Sequence, residues 1–360
     1  MKILHVPHGY RPARGGAEDL SVGLSEGLAA RGHSVRVVVA DLATPEGLYR
    51  FGVAPSGAAD EVVNGVDVRR VTPGAAYRAG NVIYRRDPYS VQPTAIRLRR
   101  AVRDRLTSAL RSEIDSYRPD VVLTLPHLFE NVRAVFEIHS DDPFPFVWMP
   151  LLHEEDPNWP IDEIRELIPS ADALVALTNH EAARLIDGYG ASPDRVHVIP
   201  PGVYVPEDPP DAPDGPPTVL YLGRLAVSKG IDRLVQAMGA VWGALPQTRL
   251  VIAGATTPET AGIKAMLADY TAGSETGDVE FLPDLSESEK QRRLHAASVL
   301  VLPSTMESFG IVLLEAWASA VPVVALDTAV LRDVVVDGVD GRLVEPGGEA
   351  LSESIIDLLT

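Results

Sequence analysis

The stretch PPGVYVPEDPPDAPDGPP, Pro200–Pro217, holds eight prolines in eighteen residues. Proline has no N–H to give to a strand ladder and its ring blocks the preceding helical turn, so the segment continues neither element. It reads as a stiff connection, with residues 205–217 as a linker between a block at 1–204 and a block at 218–360. Before it, strand-like runs stand at Ile3–Pro7, Ser34–Ala40, Val121–Leu125, Phe146–Leu151, Ala173–Leu177 and Val196–Ile199. After it they stand at Thr218–Leu222, Arg249–Ala253, Val279–Leu282, Val299–Leu302, Val321–Ala325 and Gly341–Val344. Helical patterns separate these runs, and strict alternation of the two periods predicts an α/β class with a parallel sheet in each block.

The first crossover shows the punctuation well. Gly15 and Gly16 precede a helix carrying Leu20, Leu24 and Leu28 at every fourth position, and Gly32 stops it. The next run, SVRVVVA, has few polar positions, as expected of a strand covered on both faces.

Composition narrows the function classes. The chain has 360 residues, enough for two α/β domains, and a net charge of -18 from 32 cations and 50 anions. A surface so acidic repels phosphate backbones, which argues against nucleic acid as a general partner. Lys2, Lys229, Lys264 and Lys290 are the four lysines; arginine supplies the other 28 cations. The absence of cysteine excludes disulfides, zinc–thiolate sites, iron–sulfur clusters and thiol nucleophiles. The N-terminus MKILHV runs straight into a strand pattern, too short for a signal peptide, and the apolar region Phe309–Leu326 is broken by Glu315, Ser319 and Pro322. The expected location is therefore cytoplasmic.

Two stretches carry candidate chemistry. In ESFGIVLLE, Glu307–Glu315, Glu307 falls on a loop after a strand, while Ser308 and Gly310 open a helix. Free N–H groups at such a start suit an anion such as a diphosphate. Glu315 lies inside the helix with Ile311, Val312, Ala318 and Ser319 as its nearest neighbours, an uncharged setting in which a carboxylate needs hydrogen-bond donors. Two ribose hydroxyls are suitable donors; an arginine cap or solvation at the edge of a buried stripe would also serve. In YLGRLAVSKG, Tyr221–Gly230, Arg224 and Lys229 follow a strand, where ligands bind parallel sheets, and offer two cations for a diphosphate; alternatively they are solvated loop residues. RGGAE, Arg14–Glu18, alone is a tight turn, and no G-x-G-x-x-G is present to mark a dinucleotide cofactor. His153 ends a strand-like run, as do His127 and His8, and the acids Glu154, Glu155 and Asp156 that follow it do not form a metal site, because consecutive residues rarely converge on one ion.

Taken together these stretches resemble retaining glycosyltransferase family 4, of GT-B architecture, over nearly the whole chain. The resemblance rests on GGAE, the His153 region, VIPPGVY, YLGRLAVSKGID, LVIAGA and PSTMESFGIVLLEAWASAVPVVA, with the two glutamates separated by seven residues in their setting. It implies two facing Rossmann-like domains with an interdomain cleft, the N-terminal one on the acceptor side and the C-terminal one binding a nucleotide-sugar donor. It further implies that Arg224 and Lys229 bind the donor diphosphate, that Phe309 and Gly310 contact phosphate and sugar through their backbone, and that Glu315 holds the ribose. Glu307 matches the glutamate beside the transferred sugar, Gly16 the loop that approaches the phosphates from the other domain, and His153 the active-site histidine. The implied reaction is transfer to a hydroxyl acceptor with retention, the leaving diphosphate helping to deprotonate the acceptor while the cations stabilise it. No metal and no cofactor beyond the nucleotide-sugar co-substrate are required.

Two departures stand out. The family's second glycine after LVIAG is absent, the chain continuing Ala255-Thr256-Thr257, and the sequence stops at LSESIIDLLT, so the family's crossing C-terminal helix is expected to be short or absent. A nucleotide-sugar epimerase of the same architecture and a non-catalytic nucleotide-sugar binding protein remain open beside the transferase; the missing fingerprint speaks against a dehydrogenase. Finally, between Arg69 and Arg118 twelve arginines face four acids. There Leu98, Val102, Leu106 and Leu110 recur every four residues while six arginines between Arg97 and Arg111 project elsewhere. That helix either packs on the sheet in the ordinary way or touches an anionic membrane surface peripherally.

Overall fold

A computed structural model describes residues 1–13, 15–42, 53–72, 74–84, 92–126, 129–154, 160–205, 215–272 and 278–360. The chain divides into two compact units, Met1–Ile199 and Pro200–Thr360. Most of the expected linker, residues 206–214, lies outside the described residues, as do Arg14, His127, Glu155 and Asp156.

The first unit is built on an eight-stranded sheet in the order β3-β4-β2-β1-β5-β6-β7-β8. Its strands are β1 (Lys2–Pro7), β2 (Ser34–Ala40), β3 (Glu61–Val63), β4 (Val66–Val71), β5 (Val121–Leu125), β6 (Phe146–Trp148), β7 (Ala173–Ala176) and β8 (Val196–Val198). All neighbours pair in parallel except β3 with β4. The covering helices are α1 (Gly16–Ala30), α2 (Gly74–Ile83), α3 (Pro93–Tyr117), α4 (Glu130–Asp141), α5 (Ile161–Leu167) and α6 (Asn179–Ala183). The hairpin β3–β4 was not expected, although Asn64-Gly65 between alternating valines is its signature, and both turn residues have positive φ as the tight turn requires. Strand β6 stops at Trp148, short of the expected Leu151, because Pro150 cannot donate to a ladder and Leu151 turns to φ 51°.

Helix α1 also differs from its pattern. Leu20, Leu24 and Leu28 are only half-buried, and the face against the sheet is Glu18, Ser21, Val22 and Ser25. Small hydroxyl residues let the helix approach closely enough for Ser25 Oγ to meet His5 Nδ1 of β1 at 2.7 Å. On α3, by contrast, Val102, Leu106 and Leu110 are buried and Leu98 is half-buried, so the apolar stripe packs on the unit itself.

The second unit holds a wholly parallel six-stranded sheet, β11-β10-β9-β12-β13-β14. Its strands are β9 (Thr218–Leu222), β10 (Arg249–Gly254), β11 (Asp278–Pro283), β12 (Val299–Leu302), β13 (Val323–Leu326) and β14 (Gly341–Val344). Helices α7 (Ile231–Ala244), α8 (Thr260–Ala272), α9 (Glu287–His295), α10 (Ile311–Ala318) and α11 (Gly348–Leu359) complete it. Valine and leucine fill both faces of the central strands and form two core clusters, as a doubly covered sheet demands. Chain order reverses between β9 and β12, and the crevice beyond the carboxyl ends of such a strand pair is where open α/β sheets bind ligands. The same reversal separates β1 from β5 in the first unit. Among the described residues no helix is long and apolar enough to cross a membrane.

Candidate active site

The loops after β9 and β12 carry five of the candidate residues. After β9 the chain turns sharply, pinned by Tyr221 Oη donating to the Arg224 carbonyl at 2.7 Å. Burial pushes the Tyr221 phenol well above its usual range, with the Glu307 charge adding to the effect, so it stays a donor. A short turn, Val227–Lys229, then leads into α7 through Gly230 at φ 71°. A Cβ at Gly230 would lie 2.0 Å from the Pro303 carbonyl oxygen. Glycine is therefore what lets the start of α7 press against the loop after β12, and that contact delivers Lys229.

Lys229 Nζ donates to Glu307 Oε1 at 2.7 Å and to the Met306 carbonyl at 3.0 Å. Both side chains are largely buried, 13% and 14% exposed, so the pair is held in a poorly screened setting. Ser304 braces the same loop, its hydroxyl donating to the Met306 carbonyl at 3.1 Å. Gly310 caps α10 in a left-handed conformation, φ 85°, and Phe309 is buried beneath the turn. The Arg224 guanidinium is exposed and makes no ion pair among the described residues. The loop thus sets a cation, a carboxylate and the open N-terminus of a helix around one strand pair.

Glu315 lies on α10 with the uncharged neighbours read from the sequence, but it is not alone. Lys290 Nζ, from α9, reaches Glu315 Oε1 at 2.8 Å, with side chains 16% and 18% exposed. Nothing local in the sequence marks this contact; the rarity of lysine in the chain was the one available hint. Where the second glycine of LVIAG is missing, the Ala255 carbonyl accepts from Leu225 N–H at 2.9 Å and Thr256 N–H donates to Asp284 Oδ1 at 2.9 Å, so the segment is firmly tied.

The first unit places Gly16 at the start of α1, beyond β1, and His153 beyond β6. Beside Gly16, His8 Nε2 meets Glu18 Oε1 at 2.9 Å, both side chains buried, and the His8 ring stacks on Phe129 at 5.1 Å. His153 Nδ1 bonds the Leu151 carbonyl at 2.9 Å, which places a proton on Nδ1. The segment carrying it is anchored on both sides. Glu181, wholly buried, accepts from Leu152 N–H at 2.8 Å and from Leu177 N–H at 2.7 Å, while Glu154 is held by Arg184 at 2.6 and 2.7 Å and by Tyr189 Oη at 2.9 Å. Burial pushes the Glu181 carboxyl up to about 7, and the Arg184 hydrogen bonds hold Glu154 below its usual range. Glu181 was not singled out in the sequence. Its capping-box spacing from Thr178, whose hydroxyl accepts Glu181 N–H at 3.0 Å, was legible there.

Comparison with known proteins places this architecture. The family model described as Glycosyltransferase Family 4 matches residues 14–205, and that described as Glycosyl transferases group 1 matches residues 207–360. A D-inositol 3-phosphate glycosyltransferase of Xylanimonas cellulosilytica is 36% identical over 197 residues, 50% of this chain and 46% of that protein. The protein of the same name from Geodermatophilus obscurus is 37% identical over 195 residues, 50% of this chain and 43% of that one. The match thus spans less than half the length of these curated relatives. Among solved structures, sucrose-phosphate synthase from Thermosynechococcus elongatus superposes with a TM-score of 0.77 at 22% identity, covering 99% of this chain and 89% of that one. HepE of Anabaena, solved with UDP and glucose, gives 0.70 at 17% identity with the same coverage. These structures establish the GT-B fold of two Rossmann-like units.

Proposed function

The chain belongs to glycosyltransferase family 4, and from that premise we propose that it moves a sugar from a nucleoside-diphosphate donor to a hydroxyl acceptor, with retention at the anomeric carbon. The observation that carries the reading is the Lys229–Glu307 pair, set where the strand order reverses, beside the open start of α10. Lys229, Arg224 and the helix N–H groups supply positive charge where a departing diphosphate develops negative charge, so the proposed chemistry needs no divalent ion and no further cofactor. In this reading Phe309 and Gly310 meet phosphate and sugar through the backbone, Glu307 lies beside the transferred sugar, Glu315 takes the ribose, Gly16 belongs to the loop that approaches the phosphates, and His153, its ring fixed by Leu151, is the active-site histidine. The relatives are named as glycosyltransferases, which favours transfer over epimerisation or mere binding. D-inositol 3-phosphate, from which the relatives take their name, and the UDP and glucose bound to HepE point to the first acceptor and donor to try.

Thermal-shift assays with UDP, GDP, ADP and their sugars identify the donor, because a ligand bound only by the folded state raises its melting temperature. Product NMR with that donor is then expected to show retained configuration, and turnover to persist in EDTA. Inversion, or loss in EDTA reversed by a divalent ion, removes the mechanism. The location proposed is cytoplasmic, with α3 making peripheral contact with an anionic membrane. Its support is that Arg97 and Arg100 are exposed without ion pairs among the described residues and that Ile96 is exposed beside them. Arg103 and Arg111, by contrast, pair with Glu130 and Asp141. Co-sedimentation with anionic but not neutral vesicles at low salt is the expected result; equal recovery with both leaves α3 as scaffold only.

A further inference from the structure

The chain holds its ion-paired carboxylates in more than one way. Arginine grips some carboxylates through both oxygens, Arg293 on Glu280 at 2.6 and 2.7 Å, Arg184 on Glu154 at 2.6 and 2.7 Å and Arg332 on Asp327 at 2.5 and 2.8 Å, and others, such as Glu113 under Arg36 and Asp278 under Arg249, through one. The planar guanidinium fork fits a carboxylate edge and leaves it little accepting capacity. Glu307 and Glu315 differ in the cation that holds them. Each is held through Oε1 alone, and each by a lysine, Lys229 at 2.7 Å and Lys290 at 2.8 Å. Among the described residues neither Oε2 accepts a hydrogen bond, although both side chains are more than four-fifths buried. Two of the four lysines in a chain with 28 arginines therefore serve the same pair of glutamates.

An ammonium is a point charge that satisfies one oxygen and leaves the other open. An uncommitted carboxylate oxygen that solvent still reaches can accept from a ligand hydroxyl in place of water. We propose that Lys290 is a positioning residue for the donor: it neutralises and orients Glu315 through Oε1 so that Oε2 stays open to a ribose hydroxyl. The residue needed is specifically a lysine. Arginine at this position keeps the charge but closes the site by taking both oxygens. The proposal rests on the reading of Glu315 as the ribose-holding carboxylate.

The test is calorimetric titration of the full chain with whichever of UDP, GDP and ADP binds it tightest, and with the 2′,3′-dideoxy form of that nucleotide. Lys290→Arg and Lys290→Met are each expected to weaken the ribonucleotide about tenfold, the size of one charged hydrogen bond, and to leave the dideoxy form nearly unchanged. Glu315→Gln should show the same preference. Lys290→Arg with wild-type affinity for the ribonucleotide overturns the proposal, since a role limited to charge neutralisation survives that change. Equal weakening of both nucleotides also overturns it, because Lys290 then acts on phosphate or on the fold. Wild-type affinity in Glu315→Gln defeats the underlying reading instead, a different and separately visible result. Melting curves establish that each variant is folded; should Lys290→Met fail, Lys290→Arg decides alone.

Discussion

Lys229 bridges two acceptors, the Glu307 carboxylate and the Met306 carbonyl, and its removal strands both in a site that water reaches poorly. Its replacement by alanine is therefore expected to act on the loop as well as on the ligand. Lys229→Ala and Glu315→Ala should each weaken nucleoside-diphosphate binding by about 1.5–3 kcal/mol, tenfold or more, while the cooperative melt persists. Titration calorimetry beside thermal melts separates the two effects, and wild-type affinity in both variants would remove these residues from the site. Glu307 and Glu315 are each held by a lysine through one oxygen and keep the other uncommitted among the described residues, and that property, more than their charge, is what the structure adds to the motif. Arg224 contrasts with both lysines: it is exposed and makes no ion pair among the described residues.

At the scale of elements, the contact between the start of α7 and the loop after β12 is what brings Lys229 to Glu307. Gly230→Ala forces a Cβ into the Pro303 carbonyl and a left-handed φ onto alanine, a cost of about 1–3 kcal/mol from the backbone alone. Both stability and nucleotide binding should fall, because Lys229 leaves Glu307. Gly243→Ala is the matched control: it lies in α7 with nothing within 4 Å of the added carbon, and should be neutral or slightly stabilising. A Gly230→Ala protein with unchanged melting temperature and affinity would show that this packing does not position the lysine. The strands were legible because apolar runs of period two or of continuous burial report a covered sheet directly, and the residues that open the site, Lys229, Glu307 and Gly310, fall at strand ends that the same runs define. What was not legible arises from contacts between elements. Lys290 and Glu315 are 25 residues apart and meet only because α9 and α10 flank β12. The buried face of α1 turned out to be serine rather than leucine because His5 on the neighbouring strand offers Ser25 a partner. Glu181 joins the ends of β6 and β7, a relation set by sheet order and invisible in local spacing.

Across the whole molecule, the first unit contains two fully buried titrating groups with opposite shifts, and their balance shapes its stability against pH. Burial lowers His5 from 6.5 to about 3 and raises Glu181 from 4.5 to about 7. Between pH 4.5 and 6.5 the unfolded chain carries one proton on the histidine and none on the glutamate. The folded unit carries none on the histidine and one on the glutamate. The two states bind the same number of protons at this pair, so its contribution to stability is flat there. Below pH 4.5 the unfolded chain protonates both groups while folded His5 stays neutral, and stability falls with acid. From pH 6.5 to 7 only folded Glu181 still holds a proton, and stability falls as pH rises. Single substitutions uncover the hidden slopes. In His5→Gln the remaining Glu181 makes the unit lose stability as pH rises from 4.5 to 7. In Glu181→Gln the remaining His5 makes it lose stability as pH falls from 6.5. Each slope should approach about 1.4 kcal/mol per pH unit, the value for one proton. Urea unfolding at several pH values, followed by pulsed hydrogen exchange in peptides of β1 and β7, measures it. Because all other groups are shared, the difference between each variant and the wild type isolates the pair. Difference curves of the same sign, or flat in both variants, would mean that the two groups do not titrate as their burial dictates.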